Sequence, residues 1–216
     1  MNLKTIGRLH VITDEALQRR FSHEELAAAA GAGGADVVQF RDKRRLPASR
    51  RLSAARGVVA AAGAARCVIN DDVEIARLVG AWGVHLGVED ASPEQARLRW
   101  PALHCIGATA NDLARARRMV AQRVDYLGVG PVFATTSKQR PAPVLGLAGL
   151  SAISSAVDCP VIAIGGIDEH NVSSVLAAGA WGVAVLSAIA LDDDPRLATE
   201  RLRERIEAST FRGLAV

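Results

Sequence analysis

The residues with the most chemical capacity gather in a few short blocks. Gln39-Phe40-Arg41-Asp42-Lys43 sets an amide and two cations at alternate positions, so an extended backbone would send Gln39, Arg41 and Lys43 to one side. Two cations this close repel unless an anion lies between them, and an inward-facing glutamine needs a hydrogen-bonding partner. Asn70-Asp71-Asp72 and His85-Leu86-Gly87-Val88-Glu89-Asp90 supply carboxylates. Two carboxylates ~4 Å apart repel by about 4 kcal/mol at an effective dielectric of about 20, which favours a cation between Asp71 and Asp90. A few hard oxygens with room for water and phosphate describe magnesium better than zinc or calcium. Asp71 or Asp72 would equally serve as a helix cap, and His85 as ligand, base or hydrogen-bonded packing residue. Asp90 is harder to read as a cap, because Ser92 already fills that place.

The longest block runs from Asp125 to Lys138. Tyr126 to Val129 reads as a buried strand, Gly128 and Gly130 read as letting backbone approach a ligand, and Thr135, Ser137 and Lys138 offer two hydroxyls and a cation. No Cys-His or Ser-His arrangement supplies a nucleophile. The chemistry therefore rests on positioning and leaving-group stabilisation, which fits substitution at carbon with departure of diphosphate. A phosphosugar isomerase or epimerase would leave the paired cations and carboxylates unexplained.

The elements that must position these blocks follow one rhythm. Strands are expected at Leu9–Thr13, Asp36–Phe40, Cys67–Asn70, Val84–Leu86, His104–Gly107, Tyr126–Val129, Pro160–Ile164 and Gly182–Leu186. Helical segments are expected at about His23–Ala32 and Pro47–Ala62, after strand three, and from the Ser92-Pro93-Glu94-Gln95 capping box. Others follow from Asn111 or Asp112 toward Gln122, near Leu150–Ala156, from Asp168 to Ala178, and from Asp194-Pro195 through about Ile206. Eight strands alternating with helices over 216 residues predict a closed (β/α)8 barrel, the TIM-barrel architecture, as a single domain. Active sites of such barrels lie at the carboxyl ends of the strands, where the polar blocks fall. Loops after strands seven and eight often bind phosphate, and there stand Gly165-Gly166 and Leu186-Ser187, giving a second anion subsite opposite the first.

Composition narrows the class. The charge of +3 and pI near 9.0 come with only eight aromatics and scattered basic residues, so no nucleic-acid platform is visible. Of 26 basic residues 23 are arginine, and two of the three lysines, Lys43 and Lys138, stand just beyond expected strands. Cys67, Cys105 and Cys159 have neither disulfide nor zinc spacing. No stretch approaches the ~18 apolar residues of a membrane span, and a cytoplasmic protein is expected.

The blocks Gln39-x-Arg41-x-Lys43, Ile69-Asn70-Asp71-Asp72, His85-Leu86-Gly87-x-x-Asp90, Asp125 to Pro131 with Thr135-x-Ser137-Lys138, Ile164-Gly165-Gly166-Ile167 and Val185 to Ile189 together resemble thiamine-phosphate synthase. The resemblance spans essentially the whole chain in order. It implies that a pyrimidine diphosphate is joined to a thiazole phosphate by a dissociative reaction in which pyrophosphate leaves first. It implies further that Gln39, Phe40, Arg41, Asp42, Lys43, Asn70, Thr109 and Lys138 hold the diphosphate substrate, with Arg41, Lys43, Thr109 and Lys138 as the catalytic set. Asp71 and Asp90 would bind Mg2+, and Thr135, Thr136, Ser137, Gly166, Leu186 and Ser187 the thiazole phosphate. A homodimer is the family habit. The chain departs from the family pattern at Phe40, Val88, Thr109, Asn111, Ala134 and Ser137, usually Leu, Gln, Ser, His, Pro and Thr. Thr109 and Ser137 keep a hydroxyl, whereas Val88 and Asn111 change the polar rim. A thiazole tautomerase-like barrel would lack the paired aspartates, and a non-catalytic binder of thiamine precursors would lack turnover.

Overall fold

Eight short parallel strands close into a barrel in sequence order: β1 (Leu9–Thr13), β2 (Val37–Phe40), β3 (Arg66–Asn70), β4 (Gly83–Leu86), β5 (Cys105–Ala110), β6 (Tyr126–Val129), β7 (Val161–Ile164) and β8 (Gly182–Val185). The seam between β1 and β8 pairs Leu9 with Val183 and Val11 with Val185. The computed structural model describes residues 6–213 except 18, 45, 136 and 138–141. Helices α1 (His23–Ala32), α2 (Ala48–Ala61), α3 (Val73–Leu78), α4 (Pro93–Arg99), α5 (Leu113–Ala121), α6 (Gly146–Ser154), α7 (Val172–Ala177), α8 (Ser187–Ala190) and α9 (Pro195–Gly213) follow the strands. Among the described residues no helix is long and apolar enough to cross a membrane.

The period-two alternation of the strands divides the core. Leu9, Val11, Val38, Ile69, Val84, Leu127 and Val183 face the helices in the larger cluster, while Ile12, Tyr126, Ile162 and Ala184 belong to a smaller one that floors the mouth. Burying each large aliphatic side chain contributes about 1.5–3 kcal/mol, so the outer layer carries most of the stability. Polar groups on the inner face are therefore supported by a barrel that does not depend on them.

Helix starts obey local chemistry. Ser22 with Glu25 and Ser92 with Gln95 form reciprocal capping boxes at α1 and α4. Asp72 caps α3 by accepting from the Ile75 amide, and Asp112 rather than Asn111 caps α5. Four elements differ from those expected by more than one residue at a boundary. β5 extends to Ala110, because Thr109 and Ala110 continue the pairing with β6. α6 starts at Gly146, four residues before Leu150, and α9 continues past Ile206 to Gly213. Asp168 does not cap α7: its carboxylate accepts from the amides of His170 and Asn171 and closes a turn, so that Asn171 becomes the first flanking residue of the helix. The single turn α8 between β8 and α9 carries no periodic apolar pattern and is absent from the sequence expectation.

Candidate active site

Residues from all eight strands or the loops after them line one cavity of about 550 Å³ at the carboxyl end of the barrel. Gln39, Arg41, Lys43, Asn70, Asp71, Asp90, Thr109, Thr135, Ser137, Gly166, Leu186 and Ser187 all contribute to its wall. Thr136 and Lys138 lie outside the described residues. Phe40 and Asp42 are not brought to the cavity, because alternation along β2 turns them outward. Phe40 packs edge-on against His23 at 4.7 Å between ring centres. Asp42 is buried against Arg44, accepting from its amide at 2.9 Å and from Nη2 at 2.7 Å.

One side of the cavity is charged. The Arg41 guanidinium donates to the buried carboxylate of Asp14, and the Lys43 ammonium is paired with Asp71. Asp71 adopts a left-handed backbone with φ of 67°, uncommon for a residue with a Cβ, and its amide donates to the His85 carbonyl at 2.8 Å. Asp90 Oδ2 accepts from the Gly87 amide at 2.6 Å. The Asp71 and Asp90 carboxyls also contact one another. Burial together with that contact pushes the Asp90 carboxyl up to about 6. Burial alone would raise Asp71 as well, but Asp90 and Lys43 more than offset it and hold Asp71 below the usual carboxylate range.

Two touching carboxylates beside two cations form a donor set that fits a hard divalent cation. Among the described residues no group of three or more His, Cys, Asp or Glu could hold a metal, so a cation here would take its remaining ligands from substrate and water. That division of ligands suits magnesium.

The interior and the opposite side are built differently. His85 hydrogen-bonds through its two ring nitrogens to Tyr126 and Thr109, which agrees with a packed polar residue. Gly128 and Gly130 line the cavity and each also makes room for a neighbour. A Cβ at Gly128 would come 2.7 Å from His85 Cε1, and one at Gly130 would overlap the Ile164 carbonyl. Gly166 has φ of 64°, and a Cβ there would meet the Ala134 carbonyl at 2.6 Å. The Gly166 carbonyl is held by Asn171 Nδ2 at 2.8 Å, which shapes the loop between β7 and α7. The Ser137 amide donates to Thr135 Oγ1 at 3.2 Å.

Three residues absent from the sequence reading support the site. Asp14 follows the end of β1, and applying the strand-end rule to that strand would have found it. Arg115 sits on α5 yet donates through Nε to the Thr109 carbonyl at 2.8 Å and through Nη2 to the Gly87 carbonyl at 3.1 Å, clamping the ends of β4 and β5. No sequence signal marks it, since an arginine on a helix is ordinarily a solvated one. His10 is fully buried beneath the cavity, with Nε2 3.1 Å from the Ile6 carbonyl; burial lowers its pKa to about 4 and keeps it neutral.

Residues 9–189 match the family model described as thiamine monophosphate synthase. A thiamine-phosphate synthase of Methanoculleus marisnigri is 46% identical over 208 residues, covering 95% of this chain and 98% of the relative. One of Salinibacter ruber is 46% identical, covering 94% and 90%. The solved structure of a thiamine phosphate pyrophosphorylase from Pyrococcus furiosus superimposes with a TM-score of 0.85 at 36% identity, covering 96% of this chain and 99% of that one.

Proposed function

The chain belongs to the thiamine monophosphate synthase family and is a transferase, and from that premise we propose that it joins 4-amino-2-methyl-5-(diphosphooxymethyl)pyrimidine to 4-methyl-5-(2-phosphoethyl)thiazole or its carboxylate. The products are thiamine phosphate and pyrophosphate, with carbon dioxide also released where the thiazole carries the carboxylate. The observation that carries this reading is the placement of Arg41 and Lys43 beside the touching carboxylates of Asp71 and Asp90 in one cavity. A diphosphate with an associated cation satisfies both pairs at once.

In the proposed reaction the bond between the methylene carbon and the diphosphate oxygen breaks, and its electron pair leaves with the diphosphate. The aminopyrimidine stabilises the resulting methylene cation, and the thiazole nitrogen lone pair then forms the new carbon–nitrogen bond. Arg41, Lys43, Thr109 and Lys138 hold the diphosphate oxygens, so their hydrogen bonds strengthen as charge grows there. Gln39 and Asn70 orient the pyrimidine end. Asp71 and Asp90 would hold the cation; bound magnesium supplies charge neutralisation to the leaving group. Thr135, Thr136, Ser137, Gly166, Leu186 and Ser187 hold the thiazole phosphate, which brings the nucleophile close to the carbon as the leaving group departs.

The test is thiamine phosphate formation by the purified protein from both substrates, with and without magnesium. Magnesium-dependent product is expected. No product, with thiazole phosphate still bound, would instead favour a tautomerase-like barrel or a non-catalytic binder.

A further inference from the structure

Three side chains on adjacent strands form a hydrogen-bonded line from the barrel interior to its mouth. The Tyr126 hydroxyl lies 3.1 Å from His85 Nδ1, and His85 Nε2 lies 3.0 Å from Thr109 Oγ1. The two rings stack at 5.5 Å between centres. Space for them is built into the neighbouring strands. Register sets Gly107 beside both His85 and Tyr126, and Gly128 beside Thr109. A Cβ at Gly107 would overlap the phenol, and one at Gly128 would come 2.7 Å from the imidazole. Two strand positions are therefore glycine where a side chain would displace one member of the line.

The chemistry of each group sets the direction of its hydrogen bond. Tyr126 is buried, and burial holds its phenol well above its ordinary range, so it keeps its proton. Among the described residues its hydrogen-bond partner is His85 Nδ1. A buried O–H with no acceptor forfeits the bond it makes in water, whereas a spare oxygen lone pair is the lesser loss. The phenol therefore donates to Nδ1. A neutral imidazole that accepts at Nδ1 carries its proton on Nε2, and that N–H donates to Thr109 Oγ1. The reverse tautomer, or a protonated imidazole, would strand the Tyr126 hydrogen. With one lone pair occupied by His85, the Thr109 hydroxyl has its own hydrogen to direct into the cavity it lines.

We infer that Tyr126 and His85 are positioning residues that set Thr109 as a hydrogen-bond donor to an oxygen of the diphosphate group. This rests on the function proposed above. A hydroxyl committed to donation before the substrate arrives needs no reorientation when charge develops on the leaving oxygen. The same logic explains why threonine can stand where serine is usual, since only the hydroxyl takes part.

The experiment reads the tautomer of His85 by long-range 1H–15N spectra of the ligand-free protein, alongside steady-state kinetics of Tyr126→Phe, Thr109→Val and the double variant. The Nε2–H tautomer is expected in the wild-type protein and a mixture of tautomers in Tyr126→Phe, with an unchanged melting temperature showing that the barrel is intact. Tyr126→Phe should lower kcat/KM for the pyrimidine diphosphate about tenfold while leaving KM for the thiazole phosphate within about twofold; in the Thr109→Val background the same change should cost no more than about twofold further. A proton on His85 Nδ1 in the wild-type protein would overturn the inference, as would an equal loss from Tyr126→Phe with and without the Thr109 hydroxyl. Failure of the wild-type protein to form thiamine phosphate would overturn the functional reading instead, and the tautomer, measured without substrate, would still decide the direction of the line.

Discussion

The two halves of the barrel mouth are made of different materials. On the side of β2, β3 and β4 the wall carries charged side chains that are each paired: Arg41 with the buried Asp14 after β1, Lys43 with Asp71, and Asp71 with Asp90. Across the cavity, after β6, β7 and β8, the described wall residues are glycines, hydroxyls and small apolar groups such as Gly165, Gly166, Thr135, Ser137 and Ser187. A charged wall must neutralise itself when no ligand is bound, and each of its pairs then contains a group that a ligand can recruit. A wall of backbone and hydroxyl groups carries no such tension. The charged half should therefore be sensitive to truncation, and the backbone half to added bulk.

The largest effect expected from this contrast is at the carboxylates. Asp71→Asn or Asp90→Asn should reduce magnesium-dependent turnover about 100-fold or more, the scale of losing one preorganised transition-state contact. The melting temperature should hold or rise in Asp90→Asn, whose carboxyl is held above its usual range, and should fall modestly in Asp71→Asn, whose carboxylate loses its pairing with Lys43. Wild-type turnover in either variant would remove the cation from the charged half.

Next in size is the selectivity of the lysines. Lys43→Ala or Lys138→Ala should weaken pyrophosphate binding by about tenfold to 100-fold, the range of a hydrogen bond to a charged group, and barely alter thiazole-phosphate binding. Calorimetric titration of each ligand separately checks this, and equal losses for both would merge the two halves into one site. Ser187→Ala should do the opposite on a smaller scale, lowering thiazole-phosphate affinity about threefold to tenfold without moving pyrophosphate. It is a cleaner probe than a substitution at Gly166, where any side chain also meets the Ala134 carbonyl and strains the backbone.

The smallest expected effect is at the rim. Val88 is 52% exposed at the edge of the cavity, so Val88→Gln should change kcat/KM by about threefold or less, as surface substitutions usually do. A much larger gain would mean that the rim, rather than either wall, limits the rate.

Much of this could be read from the residues. Strand and helix order follows from apolar runs separated by caps and glycines, and alternation along Gln39-x-Arg41-x-Lys43 correctly anticipates which three side chains reach the mouth. The same alternation turns Phe40 and Asp42 outward, which the family resemblance alone obscured. The ambiguity between Asp71 and Asp72 is resolved by one hydrogen bond, from the Ile75 amide to Asp72.

Local pattern by itself determined the eightfold strand and helix rhythm, the sites of the capping boxes, and the polar strand ends, because each depends on residues within a few positions of one another. The remaining features needed closure of the barrel. Asp14 meets Arg41 across 27 positions and Arg115 meets Gly87 across 28, contacts whose partners only the register and curvature of the sheet bring together. In one dimension Gly107 reads only as the end of a strand and Gly128 as a point of ligand approach, yet in three they make room for the rings of Tyr126 and His85 on the next strands. A glycine records the absence of a side chain, and only the folded neighbour reveals what occupies the space.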